Sequence, residues 1–401
     1  MSPSFTAISA PRPDADSLAR DHAAVTALLD RGDLPAALAL WDSQRRSHDT
    51  WSALVHLRFA QDTADATAKA DRDAADTLAP EAAEHEVAIK RRLLAIGAPV
   101  AALTGTHALA LWACDLAAFD PAIKPDLEAE ARLSARYTAL LASARIAFQG
   151  QTVNLAGLDA FAQDPDRGTR HAAEQARWGF FAENGAALAE IYGELVGLRH
   201  GMAGKLGCAT YTPLGYRRMR RTDYGPEEVA RYRQQVVEHV VPLVARLLEQ
   251  RRVANGWDRL RFWDEALIDP AGNPGPAGDH DFLVARAGTM FDRLHPRMGA
   301  FYRMMEQGGF LDLKNRPTKA GGGFCTSFPT AGVPFIFANF NGTHHDIGVF
   351  THEMGHAFQN WESRSKPVVD YLWPTMEAAE VHSMGLEFLS WPFIGLMVGE
   401  P

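Results

Sequence analysis

The side chains best spaced for chemistry are His352-Glu353-Met354-Gly355-His356, two imidazoles four residues apart with a carboxylate beside the first. On an α-helix, residues i and i+4 share a face, so both rings can offer a nitrogen to one metal ion. At 100° per residue Glu353 stands about 100° round from His352, flanking such an ion without joining it and free to carry a proton. A catalytic zinc takes three protein ligands and keeps a fourth position open for water. Zinc acidifies its water and polarises a carbonyl, which is what hydrolysis of an amide needs. The bland alternative, two surface histidines on an amphipathic helix, is disfavoured by the flanking sequence.

Those residues require a helix, and Thr343-His344-His345-Asp346 fits a capping box that would start one. Ile347, Phe350, Met354 and Phe358 then fall within about 80° of one another, nearly opposite His352 and His356. The third ligand must come from elsewhere, and the next candidates, Glu377, Glu380, His382 and Glu387, lie on a helix starting near Pro374. Glu380 and Glu387 share a face within about 20°, Glu377 is about 60° from Glu380, and His382 about 160°. Spacing does not select among the three glutamates. Before the histidine helix, Gly321 to Phe340 reads as two short strands around a turn at Pro329 to Gly332, and Phe335 to Phe340 is expected to receive an extended peptide as an added strand.

The rest of the chain is helical in texture. Apolar residues recur at helical spacing from Asp16 to Phe161, and Leu188, Ile191, Tyr192, Leu195 and Leu198 are expected to face a core. A long helix is expected from Pro226 to about Val253 with Val236, Val240, Leu243 and Leu247 as its stripe, kinked or split by Pro242, and a surface loop from Asp269 to Asp281. Arg217, Arg218, Arg220 and Arg221 read as a solvated face or internal salt bridges, and Trp257 and Trp263 as packing anchors.

Composition excludes several classes. The 401 residues are 47% hydrophobic, enough for a large core, and 49 acids against 40 Lys plus Arg give a net charge of −9, which is no nucleic-acid signature. Three scattered cysteines, Cys114, Cys208 and Cys325, form no CxxC pair and suggest a reducing cytoplasm, with Cys325 a small buried hydrophobe. No secretory signal is visible at the N-terminus. The uncharged run Leu93 to Cys114 contains Gly97, Pro99 and Gly105 and reads as a turn between helices, not a membrane span.

Larger blocks carry a resemblance. Gly321-Gly322-Gly323-Phe324, Pro334-Phe335-Ile336, Asn339-Phe340-x-Gly342-Thr343, His352-Glu353-Met354-Gly355-His356-Ala357 and Glu380-Val381-His382-Ser383 together resemble the M3 family of zinc oligopeptidases, and are most similar to its oligoendopeptidase F branch. Lys205-Leu206-Gly207 and Arg217-Arg218-Met219-Arg220-Arg221-Thr222-Asp223-Tyr224 match a second block of that family. The resemblance covers roughly residues 165 to 401 and divides the chain into an N-terminal helical region, 1–164, and a catalytic region, 165–401. It implies His352, His356 and Glu380 as ligands of one Zn2+ per chain, Glu353 as general base, and Glu387 as a nearby supporting acid. His382 departs from the family pattern.

The fold implied is mainly α, a multi-helix zincin-type peptidase with a deep substrate channel and a small β-region beside the active-site helix. The implied activity is endopeptidase hydrolysis of short unstructured peptides in the cytoplasm, with neither nucleic acid nor membrane as partner. The family continues beyond the position of Pro401 with helices bearing a His and several Tyr, so a fragment lacking part of its transition-state stabilisation is expected. The alternatives are a catalytically impaired or non-catalytic zinc-binding helical protein, and another HExxH enzyme such as an aminopeptidase.

Overall fold

In the computed structural model, which describes residues 4–398, aspartates begin the early helices. Asp14, Asp33 and Asp65 each accept a hydrogen bond from the amide three residues on, satisfying a donor that a helix start leaves open. They begin α1 (Ala15–Asp30), α2 (Leu34–Gln61) and α3 (Ala66–Ile96). The uncharged run then turns as expected: α4 (Ala98–Thr104) and α5 (Thr106–Ala117) are bent by 114°. Among the described residues no single helix is long and apolar enough to cross a membrane, and only this bent pair passes by length and composition. Its Val100, Ala108, Leu111 and Trp112 are buried in a core with Val25, Leu38, Trp41 and Leu93.

Next come α6 (Lys124–Ala142), a hairpin of β1 (Ile146–Phe148) and β2 (Gln151–Val153), α7 (Leu158–Ala162), α8 (Arg167–Glu183), α9 (Gly185–Lys205) and α10 (Tyr211–Arg218). The hairpin is unforeseen, because its turn residues Gln149 and Gly150, both at positive φ, lack the usual Asn-Gly signature. The long helix expected from Pro226 is divided, as Pro242 demands, into α11 (Pro226–Gln235) and α12 (Val241–Ala254) around a π-helical turn over Val236–Val240. Its stripe is not core: Val240, Leu243 and Leu247 are about half exposed, and on α9 Ile191 is buried while Tyr192 is exposed.

Beyond the expected loop lie α13 (His280–Leu294), α14 (Pro296–Gln307), β3 (Leu311–Lys314), β4 (Phe324–Phe328), β5 (Val333–Phe340), α15 (His344–Ser363) and α16 (Met376–Ser390). The two expected strands, β4 and β5, are antiparallel, and β3 adds parallel to β5 to give the order β3-β5-β4. Pro334 falls before Ile336, where β3 pairing begins, so its missing N–H costs no bond on that side. Beneath the sheet the fully buried ammonium of Lys319 donates to the Asp312 and Lys314 carbonyls (3.0 Å each), the Ala338 carbonyl and the Asp312 carboxylate (2.9 Å).

This sheet, α13, α14 and α15 enclose the second core, rich in Phe291, Tyr302, Phe310, Phe335, Phe337, Phe350 and Met354. Helix α2 serves both cores, with Leu38 and Trp41 in the first and Leu54, Leu57 and Ala60 in the second. A buried ionic cluster joins the same parts. Asp370 meets Arg45 (2.6 and 3.0 Å), the Trp112 indole (3.0 Å) and Arg220 (3.2 Å), while Lys90 joins Glu86 (2.9 Å) to Asp115 (3.0 Å). Burial alone would raise the Asp370 carboxyl, but Arg45, Lys90 and Arg220 overcome it and hold the group far below the usual carboxylate range.

Candidate metal centre and active site

Helix α15 starts at His344 as its sequence predicts, but different atoms secure it. The Thr343 hydroxyl turns to Asn341 Oδ1 (2.8 Å) and caps nothing. The buried Asp346 carboxylate instead accepts the amides of Asn341 (3.0 Å) and Gly342 (2.7 Å). With its start pinned, α15 buries Ile347, Phe350 and Met354 in the second core and turns His352 and His356 the other way.

Helix α16 crosses α15 at backbone contact. A Cβ added to Gly355 would lie 2.6 Å from Ser383 Cα and 2.7 Å from the His382 carbonyl oxygen. This close crossing carries Glu380 to the histidines: its Oε2 lies 3.1 Å from His352 Nε2 and 3.7 Å from His356 Nε2. One donor atom from each of the three lies within 4.8 Å of the others. Three ligands arranged tetrahedrally at 2.0–2.2 Å around zinc stand about 3.4 Å apart, so the donor set fits such an ion in both spacing and chemistry. The buried Ser383 hydroxyl donates to Glu380 Oε2 (2.9 Å) and steadies that carboxylate.

Glu353 is 6% exposed, and among the described residues its Oε2 has no hydrogen-bond partner. Burial, with the nearby Glu380 charge second, pushes its carboxyl up to about 7. An orphaned buried carboxylate of this kind is costly, and proximity to the three donors gives it a chemical rationale. Gly323, just before β4, lies beside it: a Cβ there would be tight against Val349 Cγ1 (3.2 Å) and in ordinary contact with Glu353 Oε1 (3.5 Å).

The remaining candidates separate. Glu387 Oε2 lies 3.6 Å from His352 Nδ1, behind the ring. Glu377 turns away to Arg221. His382, exposed, shares its Nδ1 with the Ala378 carbonyl one turn back (2.7 Å). Ser383 and Gly355 escaped the sequence reading. A glycine inside an otherwise well-formed helix was the available signal for the crossing.

A cleft of about 900 Å3 runs past the start of α16, lined by Arg220, Gln359, Asp370, Trp373 and Thr375 among others. A second of about 360 Å3, sharing Asp49, Val369 and Trp373, follows β4 at Thr326 and Ser327. The strand expected to receive a peptide, Phe335 to Phe340, is not an edge: β5 is central, with both edges taken by β3 and β4, whereas among the described residues β4 pairs on one side only. Of the arginine run, Arg218, Arg220 and Arg221 make internal ion pairs while Arg217 donates to the Ala117 carbonyl (3.3 Å), and Trp257 and Trp263 do anchor packing, Trp257 under Arg167 and Arg170 (5.3 Å each) and Trp263 against His171 (4.0 Å). Cys325 is a largely covered thiol whose pKa burial raises well above the usual value.

Residues 298–393 match Peptidase family M3, and residues 5–119 match the Peptidase M3 N-terminal domain, so the likeness extends into the half where the sequence offered only helical texture. Among solved structures, an oligoendopeptidase F from Bacillus anthracis str. Ames is 38% identical with a TM-score of 0.96, over 99% of this chain and 74% of that one. A second oligoendopeptidase F structure is 38% identical with a TM-score of 0.97, over 99% and 71% of the two chains. PZ peptidase A, solved with an inhibitor, is 36% identical with a TM-score of 0.95, over 98% and 71%. No curated protein matches the sequence.

Proposed function

This chain belongs to peptidase family M3 and is oligoendopeptidase F-like, and on that premise we propose that it cleaves internal bonds of short unstructured peptides with one zinc ion held by His352, His356 and Glu380. The observation that carries the reading is the convergence of both imidazole Nε2 atoms on one Glu380 oxygen beside a buried, partnerless Glu353 carboxylate. When bound, zinc would polarise the scissile carbonyl and make a water acidic enough to attack near neutral pH.

This chain's own residues do the rest. Glu353 takes the proton of the attacking water and returns it to the leaving amine, and its burial favours holding that proton between the two transfers. Glu387 orients the His352 ring through Nδ1, and Ser383 holds the Glu380 carboxylate. The peptide lies extended along the open edge of β4, its main chain adding a strand and its side chains entering the cleft at Trp373. Folded proteins are too bulky for that course. The three unpaired cysteines accord with a reducing compartment, and we assign the activity to the cytoplasm.

The test is cleavage of an internally quenched, N-blocked oligopeptide by the zinc-loaded chain and by its Glu353→Gln variant. Turnover that falls by roughly 10² to 10⁴ in the variant, with zinc retained one to one, supports the reading. Equal turnover in both removes Glu353 from the chemistry. Zinc uptake without turnover in either would favour a zinc-binding protein lacking catalysis, and no zinc uptake would remove the ligand set.

A further inference from the structure

Helix α10 ends in a turn that sends three neighbouring arginines to three different parts of the molecule. The Arg221 amide donates to the Tyr216 carbonyl (3.2 Å) and the Arg220 amide to the Arg217 carbonyl (2.9 Å), with Arg220 itself left-handed at φ 53°. This closure usually has glycine at the left-handed position, because a Cβ is strained there. The chain keeps an arginine, whose side chain spans Asp115 on α5 (2.8 and 2.7 Å) and Asp370 (3.2 Å). Arg218 reaches Glu130 on α6 (2.7 and 3.2 Å). Arg221 grips Glu377 in the first turn of α16 through Nε (2.9 Å) and a closer Nη2 contact to the same oxygen.

Arg221 is held ready for that contact. Its guanidinium lies 4.3 Å from the Tyr216 ring centre and 5.4 Å from that of Tyr224, and its side chain is 13% exposed. The close packing of α16 on α15, at Ser383 against Gly355, comes about two turns after its start. Met376 and Val381 are exposed, and Ser383 and Ser390 are the buried residues of α16. Glu377 and Glu380, three residues apart, are surface neighbours on that helix. We infer that Arg221 is a positioning residue for the metal centre: by gripping Glu377 it fixes the first turn of α16 and so sets the Glu380 carboxylate against His352 and His356. The inference rests on the ligand set proposed above, and it ties that set, through one turn, to α5 and α6.

Zinc affinity of the full chain, measured by chelator competition, reads the effect without any turnover. Arg221→Gln and Glu377→Gln should each weaken zinc about tenfold, the scale of supporting contacts around metal ligands. Each should also shift the visible absorption of the cobalt-loaded chain. The double variant should be no weaker than the weaker single, since both remove one contact. Arg231→Gln, which removes an exposed arginine paired with Glu228, should leave affinity unchanged. Circular dichroism and melting of the metal-free variants should match the wild type. Unchanged affinity in both single variants, or additive losses in the double, overturns the inference while leaving the ligand set standing. Weakened zinc accompanied by loss of fold overturns it too, assigning Arg221 to folding. A wild type that takes up no zinc overturns the ligand set and this inference together.

Discussion

Replacing Gly355 by alanine tests the closest contact behind the metal site. The added Cβ would meet Ser383 Cα at 2.6 Å, the His382 carbonyl oxygen at 2.7 Å and the His382 carbonyl carbon at 3.2 Å. Ordinary carbon contacts need about 3.5–4.0 Å, so α16 must withdraw by about 1 Å. The neighbours in conflict are backbone atoms, which no rotamer change can clear. Glu380 travels with the helix, away from His352 and His356, now 3.1 and 3.7 Å from its Oε2. Metal–ligand distances tolerate only about 0.2 Å, so zinc affinity should fall about a hundredfold, roughly 2.7 kcal/mol. The metal-free fold should suffer less. Alanine gains about 1 kcal/mol over glycine in a helix, against about 1–3 kcal/mol for overpacking, leaving a net loss of at most about 2 kcal/mol. Chelator competition for zinc and urea unfolding of the metal-free chain measure the two quantities. Gly355→Ala binding zinc within threefold of the wild type would refute the reasoning, because the helices would then separate without disturbing the donors.

Two further predictions concern the fold. Asp370→Asn leaves Arg45 and Arg220 without their shared buried counter-charge and should cost about 3–5 kcal/mol in urea unfolding, and a loss below about 1 kcal/mol would contradict the assignment of that cluster. For Asp312, burial pushes the carboxyl up but Arg316 and Lys319 outweigh it, lowering it from 3.8 to about 2. A carboxyl lowered on folding stabilises the fold above its unfolded value, and that contribution disappears as pH falls from about 4 to about 2, a change of about 2 kcal/mol. Urea midpoints at pH 5 and pH 3 should therefore differ less in Asp312→Asn than in the wild type, and equal slopes would refute it.

The histidine helix was legible because its two faces differ in kind, with Ile347, Phe350 and Met354 on one and His352 and His356 on the other. Its start was legible too, although Asp346 secures it and Thr343 does not. The third donor was not legible from spacing. Glu377, Glu380 and Glu387 stand close on one helix, and what separates them, Arg221 for the first and His352 Nδ1 for the last, lies far away in sequence. Strand β3 was missed because Leu311-Asp312-Leu313-Lys314 is short and its pairing with β5 is parallel and non-local, and without it β5 looked like an edge. The apolar stripe on α12 misled because periodicity reports a greasy face without saying what covers it.

The double membership of α2 sets an order of events during synthesis. Leu54, Leu57 and Ala60 belong to a core whose other members run from Leu283 to Met397. A ribosome adding about 5–20 residues per second needs roughly 15–60 s to travel from the end of α2 to α15. Throughout that interval the amino-terminal helices can close their own core around Trp41 and Trp112, and Trp51 and Val55 of α2 can pack on Ala75 of α3, but the Leu54, Leu57 and Ala60 face of α2 lacks the main body of its core. That face therefore stays uncovered until the strands and the histidine helix emerge, and transiently exposed apolar surface of this kind is what chaperones bind. Helix α15, which carries His352 and His356, is made long after α2 and closes the same core.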